Sequence, residues 1–430
     1  MDTSVATIYT AQYLLSGSAL IEGGALLDID GRIAEVGALQ TIRRGNEQAA
    51  VVDFGSAIIL PPLVNAHTHL ELTDFPRWND SEGRGKRPAS FVDWILQVIR
   101  VKHRIPQECY LSSLQRGIQL SLRAGTGLVG DILSYLPARN AYRNCGLQGR
   151  VYLEIIGQNR SDLQKKLTAL KQVLLSWDKS NSVLAGLSPH SLYTLDSSFL
   201  TDLFRELEAD HVFSAIHLAE SAEEVEFLAT QGGDIARKLY PFIGWERYLG
   251  APAGHPPAKQ LQRIDGLRAD TLLVHGTQLT VDEIDLIARA GCSVVLCPRS
   301  NDRLGSGKAP LSALHQAGIN LALGTDSMAS NDSLSIWDEL HFAARWFGHQ
   351  VDSAQLFDMA TTGGAISLGY RSDWGLVQPE SSCNFQVLSP EDLPNPTDVI
   401  DFLVHEGHRA TVSHLFLNGI DRLRSHDIPL

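Results

Sequence analysis

The chain predicts an α/β fold: a (β/α)8 TIM barrel with a small β-sandwich domain built from both termini. Three observations carry this. Short apolar runs alternate with amphipathic segments from about residue 58 to residue 375. The ends of the chain instead carry closely spaced strand-like pieces. Histidines and carboxylates sit where several of the apolar runs stop.

The expected division is a first part of the β domain at 1–57, the barrel at 58–375, and a second part of the β domain at 376–430. In the first part, Thr7-Ile8-Tyr9, Ala19-Leu20-Ile21, Gly24 to Asp28 and Arg32 to Val36 read as strands, with a hairpin signal at Asp30-Gly31. Barrel strands are expected at 58–60, 127–130, 151–155, 183–187, 213–217, 271–275, 292–296 and 320–324. Helices are expected at 197–209, 223–230 and 281–290 among others. Strands return at 384–388 and 410–417, followed by the turn signal Asn418-Gly419.

Bulk properties exclude several classes. The net charge of −13 argues against nonspecific nucleic-acid binding, which needs a basic surface. Five scattered cysteines without a CxxC do not make a disulfide framework. No apolar stretch approaches the ~18 residues of a membrane span, and the N-terminus lacks the layout of a secretory leader. A cytoplasmic enzyme is expected, with a homodimer left open.

Five motifs carry chemistry: His67-Thr68-His69, Pro189-His190, His217 to Glu220, Val274-His275 and Thr325-Asp326-Ser327. Residues two apart on a strand face the same way, so His67 and His69 can enter a barrel mouth together. An HxH pair also arises by chance. Three imidazoles and a carboxylate suffice for one divalent metal with a position left for water. Glu220, just past a strand end, suits a proton carrier; the bland alternative is an acidic helix N-terminus. His275 could orient the attacking water or be a packed core histidine. Asp326 could ligate the metal and take a proton, or merely cap a helix. A second metal held by a carbamylated lysine needs a Lys in strand three or four. Neither candidate strand has one, so one ion is expected.

Together these motifs resemble the amidohydrolase superfamily, in its cytosine deaminase-like branch of ring aminohydrolases and chlorohydrolases. Cys297-Pro298-Arg299-Ser300-Asn301 and Gly324-Thr325-Asp326-Ser327 with Ser330-Asn331 are similar to two further segments of that branch. Trp94 matches a tryptophan of its adenosine-type members. The resemblance implies His67, His69, His217 and Asp326 as ligands of one divalent ion, zinc or alternatively iron(II). It implies Glu220, His275 and Asp326 as catalytic residues. It implies His190, with Trp94, Arg299 and Ser330, as contacts to a small-molecule nucleoside substrate.

His67 to Leu72, Phe91 to Trp94 and Arg303 look most like aminodeoxyfutalosine deaminases of menaquinone biosynthesis. The implied reaction is attack of water at C6 of an adenine-type ring with release of ammonia. The alternatives are deamination of 5'-methylthioadenosine, S-adenosylhomocysteine or guanine, triazine dechlorination, or a non-catalytic scaffold. The implied substrate ends in a benzoate. Its carboxylate would meet the basic loop at 81–87, or Arg299 and Arg303, since arginine's fork suits a planar carboxylate. The aromatics Tyr240, Phe242, Trp245 and Tyr248 could line that pocket or pack the core. Two departures stand out: Gly254-His255-Pro256-Pro257 in the long loop, and His103 nine places after the Trp where an acidic residue often reaches the sugar. No ribose clamp is assigned.

Overall fold

The computed structural model describes residues 6–80, 88–178, 182–370 and 374–424. Among these, eight parallel strands form the barrel: β1 (Leu63–Thr68), β2 (Thr126–Leu133), β3 (Gln148–Ile155), β4 (Val183–Pro189), β5 (Ser214–Leu218), β6 (Thr271–His275), β7 (Ser293–Leu296) and β8 (Leu321–Leu323). Each pairs with the next in sequence order. Closure between β8 and β1 is made by a parallel bridge of Thr68 with Asp326. There the Asp326 N–H donates to the His67 carbonyl at 3.0 Å.

That closure needs a glycine. A Cβ on Gly324 would lie 2.8 Å from the His67 carbonyl oxygen and 2.9 Å from its Cβ. Asn65 then fastens the seam: its Nδ2 donates to Thr325 Oγ1 at 2.7 Å, and its Oδ1 accepts from the Thr325 N–H at 3.1 Å. The first metal-type motif and the last are therefore locked together by backbone contact.

Helices fall between the strands, including Ser197–Ala209 and Val281–Ala290 at their expected places. The latter is closed by a capping box of Thr280 and Glu283. No helix among the described residues is long and apolar enough to cross a membrane.

The ends of the chain form a sandwich. A four-stranded sheet takes Arg32–Ala38, Gly24–Ile29, Ala6–Thr10 and Ala50–Asp53. A six-stranded sheet takes Ile420–Asp421, Thr411–Leu417, Phe385–Ser389, Ile58–Leu60, Tyr13–Ser16 and Ala19–Glu22. Tyr9, Leu26, Ile59, Phe385 and Phe416 fill the space between them. Both turn signals are real: Asp30-Gly31 and Asn418-Gly419 have positive φ throughout, as tight hairpins require.

One expected barrel strand lies elsewhere. Ile58–Leu60 pairs with Phe385–Ser389 and Tyr13–Ser16 in the terminal sheet, and the barrel begins at Leu63. Pro61-Pro62 stands between them. Proline donates no backbone hydrogen bond, so the apolar run splits into two strands that serve two sheets.

Candidate metal centre and catalytic mouth

His67 and His69 leave the end of β1, His217 lies in β5, and their available nitrogens fall within 4.8 Å of one another. The rings of His67 and His69, and of His67 and His217, are 5.0 Å apart. His217 Nδ1 donates to the His190 carbonyl at 2.9 Å, which turns Nε2 toward the cluster. Neither nitrogen of His67 has a hydrogen-bond partner, although the residue is fully buried. An orphaned buried nitrogen is costly unless something outside the polypeptide meets it. Burial, then the neighbouring imidazoles, holds His69 and His217 well below the ordinary histidine range, so both present neutral lone pairs.

Asp326 completes the set. Its Oδ1 lies 3.5 Å from Nε2 of both His67 and His69. Its Oδ2 accepts from Ser300 Oγ at 2.7 Å and Ser330 Oγ at 2.6 Å. One oxygen is pinned and the other faces the histidines. Burial alone would raise this carboxyl. The His67 contact, with His69 and His275, outweighs that and keeps it well below the usual carboxylate range. Three nitrogens and one carboxylate oxygen, buried and convergent, fit a divalent ion of zinc type.

Glu220 and His275 face each other beside this centre, with Glu220 Oε1 3.5 Å from His275 Nε2. Glu220 is buried and does not belong to the following helix. Ser221 caps Ala222–Thr230, and the Glu220 N–H donates to Glu224 Oε2 at 2.8 Å. Burial, then the charges of Asp326 and Glu224, holds the Glu220 carboxyl well above its ordinary range, so it carries a proton. His275 Nδ1 meets Asn301 Oδ1 at 3.0 Å, while Nε2 is buried and unpartnered. Burial pushes His275 down to about 4, so the ring is neutral.

The backbone at these strand ends is unusual. Ala219, His275 and Asp326 adopt φ of 52°, 79° and 57°. Left-handed conformations of non-glycine residues cost on the order of 1–3 kcal/mol each and gather at functional sites. Here they lie at His275 and Asp326 themselves and at Ala219, the residue before Glu220.

The remaining candidates divide. His190 lies beside His217, with ring centroids 4.8 Å apart; burial, then Lys102, pushes it down to about 3. Its Nδ1 is 3.1 Å from both Ser191 Oγ and Thr194 Oγ1. Trp94 donates from Nε1 to the Ala329 carbonyl at 2.9 Å, on the segment just after Asp326. Trp94, Arg299, Arg303 and Met328 line a cleft of about 780 Å³. Arg299 is tied through Nη2 to Asp332, and its buried Nη1 lies 3.6 Å from Asp338 Oδ2. Ser330 is fully buried behind Asp326, and its hydroxyl orients that carboxylate. Tyr240 and Trp245 pack in a cluster with Phe91 and Phe227. None of the four aromatics lines the cleft. The basic loop at 81–87 lies outside the described residues.

Sequence reasoning passed over the supports: Asn301 on His275, Ser300 on Asp326 and Asn65 on the seam. Asn301 and Ser300 stand inside the Cys297 to Asn301 segment, which was the available signal.

Comparison with known proteins agrees with this geometry. The sequence model of the Amidohydrolase family matches residues 58–419. An aminodeoxyfutalosine deaminase of Deinococcus radiodurans is 31% identical over 84% of each chain. A 5-methylthioadenosine/S-adenosylhomocysteine deaminase of Halobacterium salinarum is 27% identical over 96% of this chain and 94% of the relative. The crystal structure of Helicobacter pylori aminofutalosine deaminase has the same fold, with a TM-score of 0.80 at 21% identity, covering 97% of this chain and 99% of that one. With the metal-type residues drawn from the ends of three barrel strands and a family match spanning the whole barrel, this chain belongs to the amidohydrolase family.

Proposed function

We propose that the protein is a metal-dependent aminohydrolase that removes the C6 amino group of an adenine-type nucleoside. The observation that carries this is Glu220 and His275 set face to face, 3.5 Å apart, beside the His67, His69, His217 and Asp326 cluster. A divalent ion held by those four residues, zinc by donor chemistry and iron(II) as the alternative, would polarise the attacking water.

The side chains supply the proton handling. Asp326 is ionised and takes a proton on Oδ1, because Oδ2 is already occupied by two serine hydroxyls. His275 offers a lone pair on Nε2, because Asn301 holds the hydrogen on Nδ1. It accepts a hydrogen bond from the attacking water and aims its oxygen at the ring carbon. Glu220 gives its proton to the adjacent ring nitrogen, so that the carbon accepts the oxygen. Asp326 then returns the water's proton to the amino group, the C–N bond breaks with release of ammonia, and the proton of the new hydroxyl goes to Glu220 as the carbonyl forms.

The finer reading is aminodeoxyfutalosine as substrate, which belongs to menaquinone biosynthesis. It is supported by the Deinococcus relative and by the cleft beside Trp94, which Arg299 and Arg303 line. A second reading, 5'-methylthioadenosine or S-adenosylhomocysteine, is favoured by the near full-length Halobacterium relative. Ammonia release from metal-loaded enzyme, measured on these three substrates, adenosine and guanine, tests both. The highest kcat/KM is expected for aminodeoxyfutalosine. Equal or better turnover of 5'-methylthioadenosine would overturn the finer reading, and no ammonia from any adenine nucleoside would overturn the coarser one.

A further inference from the structure

The wall of the mouth over β2, β3 and β4 holds a second polar group that the chemistry above does not use. Lys102, on the helix Phe91–Arg104, donates from Nζ to Ser134 Oγ at 2.8 Å and lies 3.6 Å from Glu71 Oε1. Glu71 is buried and also accepts from the N–H groups of Ser134 and Tyr135. Glu154 stands near the end of β3 and level with Ser188 of β4. Burial, with the charge of Glu71, pushes the Glu154 carboxyl up to about 7, while Lys102 and Lys166 hold it back.

Strand register shows which way these residues face. Ile132 pairs with Tyr152 and Glu154 with Ser188. Alternation therefore puts Ser134, Glu154, Ser188 and His190 on one face, the face on which His190 meets His217. Among the described residues, Glu154 is only partly buried and its carboxylate accepts no hydrogen bond. Ser188 beside it is fully buried, and its hydroxyl has no partner. Lys102, by contrast, keeps its charge: burial works against it, but Glu71 and Glu154 hold the ammonium above its ordinary range.

We infer that Glu154 and Lys102 form the subsite for the ribose cis-diol of the nucleoside, Glu154 accepting from the hydroxyls and Lys102 donating to them. A diol both donates and accepts, so it suits an open carboxylate beside an ammonium. An anionic tail does not, because Glu71 and Glu154 flank Lys102. The inference rests on the nucleoside reading above. It also accounts for the sugar contact that His103, on the exposed side of its helix, does not make.

The test compares adenosine with 2',3'-dideoxyadenosine on metal-loaded wild type, Glu154→Gln and Lys102→Met. Wild type is expected to favour adenosine by about 10- to 100-fold in kcat/KM, the range of hydrogen bonds to charged groups. In Glu154→Gln the preference should shrink to about threefold or less, with metal content and melting temperature retained. Lys102→Met should shrink it in the same direction. A preference unchanged in Glu154→Gln overturns the subsite, as does an equal loss on both substrates. If wild type releases ammonia from neither, the deaminase reading fails by itself. Calorimetric binding of inosine against 2',3'-dideoxyinosine to wild type and Glu154→Gln then judges the subsite: a diol preference lost with Glu154 upholds it, and equal affinities overturn it.

Discussion

Asn301 sets the tautomer of His275. Its Oδ1 lies 3.0 Å from Nδ1, so the ring hydrogen sits there and the buried Nε2 carries a lone pair toward Glu220. A residue of the helix Pro298–Leu304, just after β7, thereby decides what a histidine of β6 can do. Asn301→Leu should leave metal content intact and lower kcat about 10- to 100-fold, the usual effect of losing such an orienting partner. Asn301→Asp should restore part of it. Wild-type kcat in Asn301→Leu would show that the tautomer does not matter.

Glu220→Gln should keep its metal and lose about 10²- to 10⁴-fold in kcat, because the variant cannot donate the ring proton. Loss of metal in this variant would make Glu220 a ligand.

The same substitution has a stability consequence. The Glu220 carboxyl is held well above its ordinary range, chiefly by burial. The unfolded chain releases this proton near pH 4.3, while the folded protein keeps it. Folding stability is therefore undiminished below that pH and falls as pH rises toward the raised folded value. Metal-free Glu220→Gln should melt higher than metal-free wild type at pH 7, with the gap closing by pH 4. Thermal melts at the two pH values check this, and a gap that widens on acidification would refute the assignment.

Asp326→Asn and His275→Ala should separate ligation from catalysis. The first should weaken metal retention and turnover together, since Oδ1 faces two ligand histidines. The second should retain about one ion per chain while kcat falls. Elemental analysis beside kinetics decides it, and two ions per chain in wild type would contradict the single centre.

Arg299→Met should raise KM for the carboxylated nucleoside far more than for 5'-methylthioadenosine, because Arg299 lines the cleft and a carboxylate there would take the place of Asp332 or Asp338 on its guanidinium. Equal changes would take Arg299 out of any carboxylate site.

The sequence by itself determined the alternation of strands and helices, both hairpin turns, and the strand ends at which His67, His69, His217, His275 and Asp326 stand. These are local properties. Period-two alternation, Asp-Gly and Asn-Gly turn chemistry and the end of an apolar run are written within a few residues of each other. Tertiary structure alone decided that Ile58–Leu60 serves the terminal sheet, because its partners at 385–389 lie far along the chain. It alone decided that Ser330 and Ser300 share one oxygen of Asp326, that Asn301 reaches back to His275, and that Lys102 meets Ser134 and Glu71. A hydroxyl or carboxamide carries no sign of its partner in the sequence. Which group it meets follows only once barrel closure has fixed the strand register.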